Sequence, residues 1–190
     1  ESDRRQVHVT VHPVPAVPGS SDRQHCGRTS LTLNATVGAD GNINRWYNAA
    51  TGGSMLVQDT NYTTPVLSAG TTYWVSSYHT VTGCESARQM VHVQIDPIPA
   101  FPVAKDTSRC GEGTLDMVSA PGSGGTDNRW YDAPVGGALV DTALVFHTPY
   151  LIASTVFWVE TINSTTGCHS ARVKVNAVVH PVPGYPNAAD

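Results

Sequence analysis

The residues with the plainest chemistry are four cysteines, Cys26, Cys84, Cys110 and Cys168. Four thiols allow three pairings. The sequence separation from Cys26 to Cys84 equals that from Cys110 to Cys168. That equality leads us to expect each half of the chain to close its own bridge. Closing a loop of that size stabilises by roughly 4 kcal/mol in the chain-entropy view. The plain alternative is four reduced, buried thiols. Zinc fits less well, because no two cysteines have the C-x₂₋₄-C spacing of a tetrahedral centre. Disulfides imply an oxidising compartment, so the expected location is extracellular or at the cell surface.

Other chemistry finds less support. No Gly-x-Ser-x-Gly elbow and no recurring Ser, His and Asp set is present, so no enzyme is expected. His8 and His12 share a strand face, but they lie about 13 Å apart along a strand, too far for one metal. Their counterparts are His92 with Asp96 and Asn176 with His180. Asp40-Gly41-Asn42-Ile43-Asn44 spaces oxygen ligands like the start of a calcium loop. It lacks the later Glu, and its counterpart in the second half is Gly124-Gly125-Thr126-Asp127-Asn128; a plain turn is the expectation. No metal and no cofactor is expected. The formal net charge of -4 gives no basic face for nucleic acid. No apolar run approaches the ~20 residues of a membrane span. The opening Glu1-Ser2-Asp3-Arg4-Arg5 has neither Met nor the apolar stretch of a secretion signal, which suggests a mature product or a fragment.

The elements that position these residues are set by an internal repeat, which must be read first. Arg45-Trp46-Tyr47 returns as Arg129-Trp130-Tyr131, and Ser86-Ala87-Arg88 as Ser170-Ala171-Arg172, both at one constant offset and without a gap. The expected division is residues 13–96 and 97–180 as two domains. Residues 1–12 read as the last strand of a preceding repeat, because Arg4 to Pro13 aligns with Arg88 to Pro97. Residues 181–190 read as the start of a following one. A subunit that lends its first strand to a neighbour is the alternative. The junctions His12-Pro13-Val14-Pro15, Asp96-Pro97-Ile98-Pro99 and His180-Pro181-Val182-Pro183 predict extended, semi-rigid spacers.

Within a repeat the hydrophobic period is two, the mark of strands. Leu31, Leu33, Ala35 and Val37 share one face of a strand over 29–37. Further strands are expected over 42–48, around Met55-Leu56, over 62–66, over 71–78 and over 88–95. Thr51-Gly52-Gly53 and Thr82-Gly83-Cys84 read as turns. Six or seven short strands in each repeat predict an all-β chain of two tandem antiparallel β-sandwiches.

Trp46 and Trp130 stand where immunoglobulin-like sandwiches carry their core Trp. Leu67 to Tyr73 resembles the tyrosine corner of fibronectin type III domains, with Phe157 in the second copy. The set Cys26-Gly27, Trp46-Tyr47, Gly52-Gly53, Thr64-Pro65, Thr71-Thr72-Tyr73-Trp74-Val75 and Gly83-Cys84-Glu85-Ser86-Ala87-Arg88, which returns in the second repeat, resembles the tandem Ig-like, CHU_C-associated repeats of large secreted and cell-surface proteins of Bacteroidota. That resemblance implies location and architecture, with no implied ligand or active site.

Alternation with Trp46 and Tyr73 inward puts Tyr47, Trp74 and Tyr78 on the outer face, with Tyr131, Trp158 and Ile162 in the second copy. Arg45, Arg88, Arg129 and Arg172 are expected on the same face. Such a face could stack on a sugar ring, pack against another copy, or pack only on itself. Asn34, Asn61 and Asn163 fit the N-glycosylation sequon, and most such matches arise by chance. Asp141-Thr142-Ala143 resembles a bacterial O-glycosylation site at Thr142. The expected role is a structural extracellular repeat forming a stiff stalk or surface filament. Neighbouring repeats are the expected partners, with lateral self-association or glycan as further ones. A carbohydrate- or protein-binding adhesin module and the accessory domains of a secreted hydrolase are the alternatives.

Overall fold

The computed structural model describes residues 2–184. The chain forms two compact units, Glu1–Asp96 and Pro97–Asp190. Among the described residues, strands are the regular structure of each unit. In the first these are β1 (Gly19–Ser20), β2 (Arg23–Cys26), β3 (Thr32–Thr36), β4 (Ile43–Tyr47), β5 (Met55–Gln58), β6 (Asn61–Thr63), β7 (Thr71–Tyr78) and β8 (Gln89–Asp96). The second carries β9 (Val103–Ala104), β10 (Thr107–Cys110), β11 (Asp116–Ala120), β12 (Asp127–Tyr131), β13 (Leu139–Asp141), β14 (Val145–His147), β15 (Thr155–Ile162) and β16 (Val173–His180).

Each unit is a sandwich of a three-stranded and a five-stranded sheet. The orders are β1-β3-β6 over β2-β8-β7-β4-β5, and β9-β11-β14 over β10-β16-β15-β12-β13. The pairs are antiparallel with one exception per unit. β2 runs parallel to β8, with Arg23 opposite Val93 and Cys26 opposite Asp96. β10 runs parallel to β16, with Thr107 opposite Ala177 and Cys110 opposite His180. The purely antiparallel expectation is amended there. The period-two pattern finds β3 to β8 but not β1 and β2, whose four-residue Arg23-Gln24-His25-Cys26 has no apolar alternation to reveal it.

The sandwich closes on the residues that alternation turns inward. Leu33, Trp46, Tyr73, Val75, Val91 and Val93 form one buried cluster. Met117, Trp130, Phe146, Phe157, Val159 and Val175 are prominent in the other. Trp46 and Trp130 are fully buried. Each indole N–H nonetheless needs a partner. Trp46 donates to the Asp59 carbonyl at 3.2 Å and Trp130 to the Ala143 carbonyl at 3.0 Å. Tyr73 packs edge-on against Tyr62 at 5.1 Å. In the second unit Phe157 and Phe146 stack the same way at 4.9 Å. Both hydroxyls have been lost together.

Residues 4–12, expected as the last strand of a preceding repeat, pair with no strand of this chain. Residues 2–18 are extended, and Val7, Val9 and Val11 are more than 80% exposed. A strand requires a hydrogen-bonded neighbour. The place these residues repeat, beside β7, is filled in unit 1 by β8. Of the expected following repeat, residues 181–184 carry no strand, and the remainder lies outside the described residues.

Removing one indole tests the independence of the two cores. Trp130→Ala is expected to destabilise unit 2 by about 3–5 kcal/mol, the usual cost of truncating a buried Trp. Denaturant unfolding should then show an early transition for unit 2 and an unmoved one for unit 1. Two transitions shifting together would contradict separate cores.

Candidate functional site

Part of the outer face of each five-stranded sheet is covered by its own β7–β8 or β15–β16 connection. In unit 1 that connection runs from His79 to Arg88. The left-handed Gly83, at φ 72°, turns it, and the His79 N–H donates to the Cys84 carbonyl at 2.9 Å. The chain then lies back across β7. The Ser86 N–H donates to the Ser77 carbonyl, and the Ser77 N–H donates to Ser86 Oγ, both at 2.9 Å. This delivers Glu85 and Arg88 onto the sheet face.

Arg88 stacks its guanidinium over the Tyr47 ring at 3.4 Å. It also donates to the carbonyls of Ala49 at 2.6 Å and Gly52 at 2.8 Å. Arg172 does the same in unit 2, lying 3.3 Å over Tyr131 and donating to Ala133 at 2.7 Å and Gly136 at 2.6 Å. The hairpin turn must present two carbonyls to one guanidinium. Left-handed glycines at Gly52 (φ 62°) and Gly53 (φ 65°) make that bend possible. The recurrent Ser-Ala-Arg and Gly-Gly are therefore two halves of one clamp.

A carboxylate completes the cluster. Glu85 accepts from Tyr47 at 2.6 Å, from Arg45 at 3.1 Å and from Ser76. Burial pushes the Glu85 carboxyl up, but the bonds from Ser76, Tyr47 and Arg45 outweigh it and leave the group below its ordinary range. Burial, and then donation to Glu85, push the Tyr47 phenol up. Arg45 also stacks on Tyr78 at 3.2 Å and donates to Gln58 at 3.0 Å. In unit 2 the carboxylate comes from the other position. His169 stands where Glu85 was, and Glu160 stands where Ser76 was. Glu160 accepts from Tyr131 at 2.9 Å and lies 3.5 Å from both Arg172 and His169. Ile162 replaces Tyr78, so the Arg45 stack has no counterpart at Arg129.

The structure thus brings together the Arg and aromatic residues that alternation placed on one face. It also spends most of their polar groups on one another. Tyr47 is buried, while Arg45, Tyr78, Arg88, Arg129, Tyr131 and Arg172 are half-buried. Beside them runs a short apolar row across the sheet. Met55, Tyr47, Trp74 and Met90 are consecutive cross-strand neighbours; Tyr47 is covered, Trp74 is half-buried, and Met55 and Met90 are about half exposed. In unit 2 the row is Leu139, Tyr131, Trp158 and Lys174. The other candidates stay separate. Asn42 pairs with Thr80 and Asn44 with the Ala35 carbonyl. Thr142 is exposed in the β13–β14 turn, where Asp141 accepts from the Thr142 and Ala143 N–H groups at 2.6 and 3.0 Å.

The expected bridges inside each repeat are not formed. Cys84 and Cys110 are free thiols, whereas Cys26 and Cys168 are disulfide-bonded. The reason lies in the register. Cys26 ends β2 opposite Asp96, the last residue of β8. Cys84 sits in the turn that precedes Gln89, the first residue of β8. Roughly 25 Å of strand separates them, and a disulfide tolerates at most about 7 Å between Cα atoms. Cys110, opposite His180, and Cys168, before Val173, are placed in the same way.

Residues 14–97 and 99–181 each match the family described as Ig-like domain, CHU_C associated, and the chain belongs to that family. No curated protein matches the sequence. Solved structures similar to it include titin domains Z1Z2 in complex with telethonin, at 12% identity, TM-score 0.35, covering 90% of this chain and 100% of that one. Another is three N-terminal domains of the outer capsid protein Hoc of bacteriophage RB49, at 12% identity and TM-score 0.36, covering 86% and 58%. No helix among the described residues is long and apolar enough to cross a membrane. With bonded cysteines, tandem Ig-like sandwiches make a structural or cell-surface module.

Acid should loosen unit 1 through Glu85. Its folded value is depressed, so its contribution is present above the unfolded value and is lost as pH falls through the folded one, below the ordinary 4.5. Unfolding of the chain at a series of pH values should show part of the acid loss of unit 1 disappear in Glu85→Gln. An unchanged pH profile would remove Glu85 from that role.

Proposed function

We propose that this chain is a tension-bearing spacer, a segment of an extracellular stalk or surface filament assembled from tandem Ig-like repeats. The observation that carries this reading is the parallel pairing of β2 with β8, the last strand of unit 1, and of β10 with β16, the last strand of unit 2. The chain comes into unit 1 ahead of β2 and leaves it after β8, and the two strands point the same way. Tension along the chain therefore pulls β2 and β8 in opposite directions along their own axes. Their ladder is sheared as a block, with its bonds strained together, instead of being opened one bond at a time.

An aspartate extends that ladder in both units. Asp22 accepts from the His92 N–H at 2.7 Å, and Asp106 accepts from the Asn176 N–H at 2.8 Å and from its side-chain amide. The proline-rich junctions support a spacer as well, because alternating prolines hold a chain extended. The chemistry found is spent on holding each sandwich closed, which favours a non-enzymatic role. The bonded Cys26 and Cys168 support an extracellular or cell-surface location.

The row of exposed Met55, half-buried Trp74 and exposed Met90 favours a second reading, an adhesin face for protein or glycan. Thr142, exposed on a turn, suits attachment of a sugar.

Single-molecule pulling through the two ends separates these readings. A spacer is expected to give two abrupt, high-force unfolding events. Asp22→Ala with Asp106→Ala should lower both forces while leaving resting stability nearly unchanged. Gradual low-force extension would sink the spacer reading. An adhesin instead predicts glycan or protein affinity that disappears in Trp74→Ala with the fold intact.

A further inference from the structure

The sequence holds three methionines, Met55, Met90 and Met117, and two of them stand on one line across unit 1. Met55 on β5 is opposite Tyr47 on β4, Tyr47 is opposite Trp74 on β7, and Trp74 is opposite Met90 on β8. The four strands are neighbours in the five-stranded sheet. Three strand spacings therefore put the two methionines about 14 Å apart. They end the row on either side and are its most open members. Met55 is 51% and Met90 55% exposed, whereas Tyr47 is covered and Trp74 is half-buried. The third methionine, Met117, is fully buried in the core of unit 2.

A thioether is an apolar, adaptable contact group, and its sulfur is open to oxidation. Both exposed side chains stand outside the cluster that closes unit 1. An oxygen added to either sulfur goes into water and asks for no buried partner, whereas a buried polar oxygen at Met117 would need one. The second unit offers the comparison. The places equivalent to Met55 and Met90 are Leu139, also about half exposed, and Lys174. The same row runs across both sheets, but only in unit 1 do thioethers end it.

We infer that Met55 and Met90 are a reversible oxidation site that switches the outer row of unit 1 between apolar and polar. The oxidant is a hydroperoxide. A sulfur lone pair attacks the peroxide oxygen, and the O–O bond breaks as the S–O bond forms. The departing oxygen takes up the proton, so that hydrogen peroxide leaves as water. Sulfur loses two electrons and the peroxide gains them. Each methionine becomes a sulfoxide, polar and chiral. Trp74 is then flanked by an acceptor oxygen at either end of the row. Methionine sulfoxide reductases, one for each epimer, reverse the step. They release the oxygen as water while two thiols become a disulfide. The site goes beyond the spacer reading, and its effect on adhesion rests on the second reading, the adhesin face.

The test uses the full chain with its free thiols, Cys84 and Cys110, first capped by iodoacetamide. Hydrogen peroxide is added to the folded protein, and peptide mass mapping is followed together with retention on phenyl-agarose. Met55 and Met90 should each gain one oxygen while Met117 stays unmodified. Retention should fall as the two sulfoxides form, and the unfolding transition of unit 1 should not move. The two reductases together should restore the retention. Met55→Leu with Met90→Leu should be retained like the untreated protein and keep that retention under peroxide. Three outcomes would overturn the inference: oxidation of Met117 in step with the other two, unchanged retention once Met55 and Met90 are sulfoxides, or the same loss of retention in the double leucine variant. The adhesin reading is decided separately, by the affinity of Trp74→Ala, so either can fail without the other.

Discussion

The parallel pairing of β2 with β8, repeated as β10 with β16, is the constraint on which the rest depends. It gives each sandwich a direction, with the chain arriving at one end of the long sheet and leaving at the other. It closes the edge beside the last strand, which would otherwise expose a row of unpaired backbone groups. It also places the cysteine of β2 or β10 at the outgoing end, while the β7–β8 and β15–β16 connections hold theirs at the incoming end. With cysteines a full strand length apart, neither unit can staple itself. A domain of this size buries only a modest fraction of its surface, so its closure has to come from elsewhere.

The folded-back connection supplies that closure. Arg88 and Arg172 each span from a tyrosine ring to the two carbonyls of the opposite hairpin, tying the connection to the far side of the sheet. A charge-assisted donor to a carbonyl is stronger than a neutral one. The carboxylate that balances the cluster shows how position, not residue identity, is kept. Glu85 reaches it from the connection and Glu160 from the strand beneath, while Ser76 and His169 fill the places left over. The Tyr62 and Tyr73 pair and the Phe146 and Phe157 pair follow the same logic, since a lone buried hydroxyl would cost more than two lost together.

Alternation and the constant repeat offset determined a great deal by themselves. β7 and β8, the inward Leu33, Trp46, Val91 and Val93, the Gly52-Gly53 turn and the division into two sandwiches were all legible. They are legible because burial acts on side-chain type at period two, and because two copies of one solution confirm each other. β1 and β2 were not legible. They are short, polar edge strands whose place is assigned by the neighbour they pair with, and a neighbour leaves no mark on local composition.

The Arg and aromatic face was visible as a set of residues, but its meaning was not. Alternation tells which side of a sheet a residue occupies; it does not tell what folds over that side. Only the tertiary structure showed that the connection turns back so that Arg88 and Glu85 satisfy Tyr47 and Arg45. The cysteines make the same point more sharply. Equal spacing suggested equal internal bridges, because sequence separation is one-dimensional. The tertiary structure decided otherwise, since the full length of β8 between the two positions holds them at opposite ends of the sheet, farther apart than any disulfide can reach.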